Sequence, residues 1–157
     1  NIAIGDAGYH EAVKRSDITD GVVPFHKLSQ WMSYSLIEPL QEAGLELKNL
    51  DALTGLAEYR NGGLFIDTKT ISLRDKTQLE VVHDPKSPLI VEWRALTVVL
   101  LDKLAEKIRR RTNTNSESMP LASILQGGTW SAGRQIAQQL RVNGSPPLLL
   151  NSRGTIF

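Results

Sequence analysis

The 157-residue sequence contains no cysteine, and its acidic and basic residues nearly cancel to a formal net charge of +1. The absence of cysteine excludes disulfide bonds and thiolate metal ligands. The low net charge argues against broad attraction to nucleic acids or membrane surfaces, which requires an excess of lysine and arginine on one face. No apolar run reaches the roughly 18 residues that span a bilayer. We therefore expect a cytoplasmic protein with no nucleic-acid or membrane partner.

The length and composition are typical of one soluble globular domain, with 41% hydrophobic and 22% charged residues. A chain of this length buries about two thirds of its unfolded surface, so it needs no disulfide bond or structural metal ion to stabilise a core. The sequence begins at Asn1 rather than at a methionine. We expect residues 1–157 to form a single domain that is the C-terminal portion of a longer polypeptide, with the N-terminal portion as its partner.

Helical periodicity dominates the pattern and predicts a mainly α fold with a few short strands. One helix is predicted from Pro24 to Ala43, with a kink at Pro39 and a cap at Gly44. The longest helix is predicted from Leu89 to Arg111. Shorter helices are predicted over residues 53–59, 120–125 and 130–140, strands over 64–66 and within 68–82, a mobile loop over 112–119, and a small terminal hairpin over 146–157.

The stretch from Leu53 to Asp67 has the most unusual polar composition in the chain. Four different chemistries stand at consecutive positions, a carboxylate, a phenol, a guanidinium and an amide, in Glu58, Tyr59, Arg60 and Asn61. Two glycines follow and allow positive φ or a close backbone approach. The stretch is either part of a binding site or a solvated corner between a helix and a strand.

The first half of the longest predicted helix is apolar on nearly every side, which is typical of a buried helix. Glu92 and Arg94 interrupt it and lie on different faces, so they cannot pair with each other. Because an unpaired buried charge is costly, each needs a partner from another segment. We expect Arg60 to pair with Glu92, and Glu58 or Asp67 to pair with Arg94. The alternative is a structural ion-pair network without catalysis.

Two other regions offer candidate substrate contacts. Gln30 and Tyr34 lie on the polar face of the first predicted helix, where they either bind sugar hydroxyls or are simply exposed to solvent. A glycine-rich turn precedes the last predicted helix, with Thr129 as the expected N-cap. The N–H groups at Gly128 and Thr129, together with Arg134, suit a phosphate. A turn of this kind without a ligand is the alternative.

Several segments resemble the uracil catabolism protein four family, and together they cover nearly the whole chain. They are Val23 to Trp31, Leu53 to Asp67, Val91 to Thr97, Gly127 to Trp130 with Gly133 and Arg134, and the ending Gly154 to Phe157. The resemblance implies a role in pyrimidine degradation, in which the ring of a uracil nucleotide is opened and a ribosylurea-type compound arises.

Residues 57–60 and 91–95, Ala-Glu-Tyr-Arg and Val-Glu-Trp-Arg-Ala, are also similar to the queuosine-nucleotide salvage hydrolases. This similarity implies a helical fold related to DNA glycosylases and cleavage of an N-glycosidic bond. Those enzymes carry aspartate in place of Glu58 and Pro-Gln near Asn61. The reach of the carboxylate and the ligand contacts after Arg60 are therefore open.

From these resemblances we expect hydrolysis of an N-glycosidic bond in a ribosylurea-type nucleotide, with no metal and no cofactor. The chemistry requires a carboxylate near the anomeric carbon, for which Glu58 is the first candidate and Asp67 and Glu92 are the second. Arg60 and Arg94 are expected to orient carboxylates or hold a phosphate. The remaining expected substrate contacts are Gln30, Tyr34, Tyr59, Asn61, Gly128, Thr129 and Arg134.

Two alternatives stay open at this point. In the first alternative, the segment is a non-catalytic helical scaffold or interaction domain that supports a site in the N-terminal part of the longer chain. In the second, it is an amidohydrolase that acts on the urea group, with ammonia rather than urea as the product.

Overall fold

A computed structural model describes residues 5–151, which form a mainly helical fold with two small sheets. The helices are α1 (Lys27–Glu42), α2 (Tyr59–Asp67), α3 (Pro88–Thr112), α4 (Leu121–Ile124) and α5 (Ser131–Leu140). The strands are β1 (Ala7–Tyr9), β2 (Val22–Pro24), β3 (Val82–His83) and β4 (Leu149–Leu150). Single 3-10 turns lie at Leu50–Ala52 and Lys76–Leu79, and a π-helical turn at Leu125–Trp130 joins α4 to α5. The predicted mainly α class is confirmed, and the finer likeness to DNA glycosylases stays a prediction.

Helix α3 is the centre of the fold, because each of the three buried apolar clusters contains at least one of its residues. Ile90 and Trp93 pack with Leu148, Val91 packs with Phe25 and Ala57, and Leu101 packs with Phe65 and Leu125. The predicted bounds of this helix are confirmed to within one residue at each end. Its first residue is a proline, whose missing N–H costs nothing at that position. None of the helices in the described part of the chain has the length and apolarity needed to cross a membrane.

Helix α1 begins three residues later than predicted. Pro24 ends strand β2, which pairs antiparallel with β1, and His26 takes a left-handed conformation with φ 46° before the helix starts at Lys27. The end is as expected, since Gly44 has φ 81° and donates its N–H to the Gln41 carbonyl at 2.9 Å.

The predicted helix over residues 53–59 and the strand over 64–66 are both wrong, because one helix, α2, begins where the first was expected to end. The Glu58 side chain caps it by accepting the N–H groups of Arg60 and Asn61. Glycines are poor helix formers, but Gly62 lies so close to α3 that a Cβ would meet Thr97 Oγ1 at 2.7 Å. Tertiary packing therefore overrides the local preference.

The predicted helix break at Gly127 and Gly128 is also wrong, because the backbone stays helical from Leu121 to Leu140 through the π-helical turn. The predicted terminal hairpin is not formed by the described residues. Strand β4 instead pairs in parallel with β3, and residues 152–157 of that expected hairpin lie outside the described part. The mobility of residues 112–119 and the single-domain organisation stay predictions.

Candidate functional site

Glu58 is a buried carboxyl group at the N-terminal end of α2. Its side chain is held by the backbone N–H of Asn61 at 2.6 Å and that of Arg60 at 2.8 Å, and the residue is 7% exposed. Burial raises the pKa of Glu58, and the two backbone hydrogen bonds and the charges of Lys27 and Arg60 oppose that rise. A buried acid with a raised pKa beside a cation is typical of functional sites.

Lys27 is one of the two basic groups whose charges act on Glu58. It is the first residue of α1 and the one residue of that helix that is buried, with 6% exposed. Burial lowers the pKa of Lys27, and the negative charge of Glu58 partly restores it. In the sequence, Lys27 lies on the same polar face of the first helix as Gln30 and Tyr34, but it was not among the expected site residues. Gln30 and Tyr34 are half-buried in the structure, and the sequence pattern carries no signal that Lys27 is buried more deeply than they are.

Arg94 and Asp6 form an ion pair that connects the starts of α1 and α2. Arg94 Nη1 and Nη2 donate to the two Asp6 carboxylate oxygens at 2.7 and 2.8 Å, and Arg94 Nε donates to the Ala57 carbonyl at 3.3 Å. Asp6 also accepts the Lys27 backbone N–H at 3.0 Å. The Arg94 guanidinium lies 4.0 Å from the centre of the Phe25 ring, a distance that suits a cation–π contact.

Burial of Arg94 is confirmed at 2% exposure, but the expected partner is wrong. The carboxylate that pairs with it is Asp6, not Glu58 or Asp67. Burial opposes the ionisation of Asp6, but the Arg94 hydrogen bond and charge outweigh it and hold the pKa of Asp6 below its usual value. Asp6 lies in a glycine-containing loop 88 residues from Arg94, so the local sequence does not indicate its role.

The expected burial of Glu92 and its pairing with Arg60 are wrong. Glu92 is exposed on α3, as are Leu96 and Val99 on the following turns, so apolar composition overstated how much of this helix is covered. Arg60 Nη1 donates instead to the Gly144 carbonyl at 2.8 Å, and its guanidinium lies 4.7 Å from the Tyr59 ring centre. The predicted roles of Glu92, Arg60 and Tyr59 in substrate binding or catalysis stay predictions.

Asp67, the other candidate carboxylate, is engaged by Arg141. The guanidinium nitrogens Nη1 and Nη2 donate to its two oxygens at 2.8 and 2.5 Å. This bidentate pair ties the end of α2 to the residue after α5. A catalytic role of Asp67 stays a prediction, and the geometry gives it a structural partner.

Asn61 and Thr129 are brought together inside the protein. Thr129 Oγ1 donates to Asn61 Oδ1 at 2.8 Å, and Asn61 Nδ2 donates to the Leu56 carbonyl at 3.2 Å. Thr129 is therefore not the N-cap that was expected, and its segment is the middle of a continuous helical stretch. The expected anion site at Gly128 and Thr129 depended on a helix N-terminus that is absent there, so their binding roles stay predictions without that support.

Gln30 and Tyr34 fasten α1 to the segment before α2. Gln30 Oε1 accepts the Thr54 N–H at 3.3 Å, and the Tyr34 hydroxyl donates to the Thr54 carbonyl at 2.8 Å. Burial, with a smaller effect from the Asp102 charge, raises the pKa of Tyr34 to about 12. Binding of sugar hydroxyls by these two side chains stays a prediction.

Arg134 is exposed and lies over the ring of Trp130, with 5.7 Å between the guanidinium carbon and the ring centre. The predicted contact of Arg134 with substrate stays a prediction. In residues 5–151, no three histidine or carboxylate side chains come together in a way that could hold a metal ion. The chemistry of the described site is that of one buried carboxyl, one buried ammonium and the framework that holds them.

Comparison with known proteins places the chain in a family. The family model described as "Protein of unknown function (DUF1688)" matches residues 1–157. Protein urg3 of Schizosaccharomyces pombe is 43% identical over 157 residues, which cover 98% of this chain and 38% of that protein. Uracil catabolism protein 4 of Lachancea kluyveri is 39% identical over 156 residues, which cover 88% of this chain and 35% of that protein.

The chain thus spans less than two fifths of the length of these curated relatives. No solved structure matches it. The resemblance to the uracil catabolism protein four family is confirmed by both relatives, and the chain belongs to the DUF1688 family.

Proposed function

We propose that this chain takes part in uracil catabolism. The name of its Lachancea kluyveri relative states that role for the relative, and the two sequences are 39% identical over 156 residues. The matched region is 35% of the length of that relative. We therefore propose, for this chain, a part in the activity of the complete relative.

The reaction we propose is hydrolysis of the N-glycosidic bond in a ribosylurea-type nucleotide. The observation that carries it is Glu58, a buried carboxyl group fixed by two backbone N–H groups and accompanied by the cation of Lys27. Cleavage of such a bond passes through a cationic, oxocarbenium-like transition state. A preorganised carboxylate stabilises that charge most effectively where water is scarce.

In the proposed step, Glu58 accepts a proton from the water that attacks the anomeric carbon. The water oxygen bonds to that carbon, and the C–N bond breaks with its electron pair going to the urea nitrogen. The urea nitrogen takes a proton from solvent, and Glu58 returns its proton to solvent. Because backbone N–H groups hold the Glu58 oxygens, the carboxylate needs no reorganisation during the reaction.

The test is incubation of the protein with ribosylurea and its 5′-phosphate, with urea and ammonia measured separately. We expect urea as the product, and a loss of about 100-fold or more in rate for Glu58→Gln. Glu46→Gln is the matched control, because it makes the same chemical change at a carboxylate whose side chain is 79% exposed. Ammonia in place of urea would indicate attack on the urea amide, and full activity in Glu58→Gln would exclude the role of Glu58.

A second candidate function is a helical scaffold for a site formed elsewhere in a longer protein. The observation that favours it is α1, where Leu28, Trp31 and Met32 are 53%, 57% and 61% exposed. An apolar helix face of this kind is typical of an interaction surface. The scaffold is supported if the complete Schizosaccharomyces pombe relative releases urea and this chain alone does not.

A further inference from the structure

One buried charge in the described structure has no partner. The Lys27 residue is 6% exposed, and its ammonium group has neither an ion pair nor a hydrogen bond within residues 5–151. The other buried ionic groups are satisfied: Arg94 by Asp6, Asp67 by Arg141, and Glu58 by two backbone N–H groups. The ammonium nitrogen is not fully enclosed, so a group outside the described residues can approach it. A largely desolvated charge without a partner is costly, so its retention needs a reason.

The burial of Lys27 is built into the backbone. Asp6 Oδ2 accepts the Lys27 N–H at 3.0 Å, and the Asp6 carbonyl accepts the N–H groups of Phe25 and His26 at 2.9 and 3.0 Å. Arg94 in turn holds both Asp6 carboxylate oxygens. Three hydrogen bonds from the start of α1 to Asp6, which Arg94 holds through two more, therefore fix the position of Lys27.

The nearby carboxylates do not neutralise the ammonium by direct contact. Glu58 and Asp6 are close enough to attract it electrostatically, but Arg94 adds a repulsion. The oxygens of each carboxylate already accept hydrogen bonds from other donors. Glu58 accepts the Arg60 and Asn61 N–H groups, and Asp6 accepts Arg94. The ammonium thus keeps all three of its N–H donors for a group that residues 5–151 do not supply.

We infer that Lys27 binds the anionic group of a ligand beside Glu58, and that this group is a phosphate monoester. The inference deepens the proposed function and rests on it for the choice of anion, because phosphate is the anionic group of a ribosylurea nucleotide. A lysine ammonium suits a phosphate as a compact point charge with three donors. The substrate class is then a ribosyl phosphate rather than a free riboside.

Ligand binding tests this without any need for turnover. Isothermal titration of the protein with ribose 5-phosphate and with ribose is expected to give at least about 10-fold tighter binding of the phosphate ester, which is about 1.4 kcal/mol. Lys27→Met, which keeps the length of the side chain and removes its charge, is expected to abolish this preference. Lys48→Met is the control, because that side chain is 72% exposed, and it is expected to leave the preference unchanged.

Equal affinity of the wild-type protein for the two ligands, or a preference that survives Lys27→Met, overturns the inference. Circular dichroism checks the fold of each variant, and Lys27→Gln replaces Lys27→Met if the latter does not fold. The urea assay tests the proposed function separately. A protein that binds ribose 5-phosphate through Lys27 but releases no urea would support the phosphate site and contradict the proposed reaction.

Discussion

Helices α1 and α2 differ sharply in how much of each is covered by the rest of the described chain. Helix α2 has nine residues, of which four are buried. Helix α1 has 16 residues, of which Lys27 alone is buried, although it carries a clear apolar stripe. The difference teaches that apolar spacing does not decide which helix joins the core. Close backbone approach decides it here.

The close approach of α2 depends on glycines on both sides of its contacts. Trp93 Nε1 donates to the Gly62 carbonyl at 3.0 Å, and a Cβ on Gly63 would meet Pro147 at 3.1 Å. A Cβ on Gly133 of α5 would overlap the Arg60 carbonyl oxygen. Helix α1 has no such contacts in the described part, and its side-chain ties to the neighbouring segment are the two hydrogen bonds to Thr54.

The largest expected effect comes from breaking the ion pair that both helices share. In Asp6→Asn, Arg94 stays buried and loses the carboxylate of Asp6, and the starts of α1 and α2 lose this connection. We expect the free energy of unfolding to fall by about 3–5 kcal/mol in urea denaturation. Glu106→Gln is the control, because its ion pair with Arg110 is exposed and is worth at most about 1 kcal/mol. Equal losses in the two variants would contradict a special role of Asp6.

The next effect concerns only α2. Gly133→Ala forces a methyl group against the Arg60 carbonyl, and α2 or α5 must shift. We expect a loss of about 1–3 kcal/mol in the free energy of unfolding, measured in the same way. Gly127→Ala is the matched control, because nothing lies within 4 Å of the added Cβ and the segment is helical. That control is expected to be neutral or stabilising, since alanine is the better helix former.

The pH dependence of stability tests the setting of Glu58 at the start of α2. Because burial raises the pKa of Glu58, the folded protein keeps this proton at a pH where the unfolded chain has released it. The free energy of unfolding therefore declines as the pH rises from the unfolded to the folded pKa of this group. Glu58→Gln is expected to flatten that decline in urea titrations at a series of pH values. An unchanged pH profile in the variant would contradict the raised pKa of Glu58 in the folded protein.

The smallest effect is expected on the exposed face of α1. Replacement of Trp31 by serine removes a side chain that is 57% exposed and belongs to none of the three buried apolar clusters. We expect a change within about 0.5 kcal/mol in the free energy of unfolding of this chain. A loss of several kcal/mol would show that α1 is covered in solution, and would remove the contrast with α2.

Helix α3 illustrates what sequence reasoning predicted well. Its apolar period, the proline at its first position and Arg109, Arg110 and Arg111 in its last turn are all local signals, and the helix was predicted with nearly its observed bounds. Helix α2 illustrates the reverse. Its glycine pair and short length favour a turn locally, and contacts with α3 and α5, together with the Glu58 cap, hold the segment in a helix.

The sequence by itself determined the mainly helical class, the position of α3 and the unusual chemistry around Glu58. Only the tertiary structure decided which charges meet: Asp6 with Arg94 across 88 residues, and Asp67 with Arg141 across 74. It also decided that Lys27 is buried without an ion pair among residues 5–151, while Glu92 is exposed. The physical reason is range. Helix periods and caps are set by neighbours along the chain, whereas the partner of a buried charge is chosen by packing between distant segments.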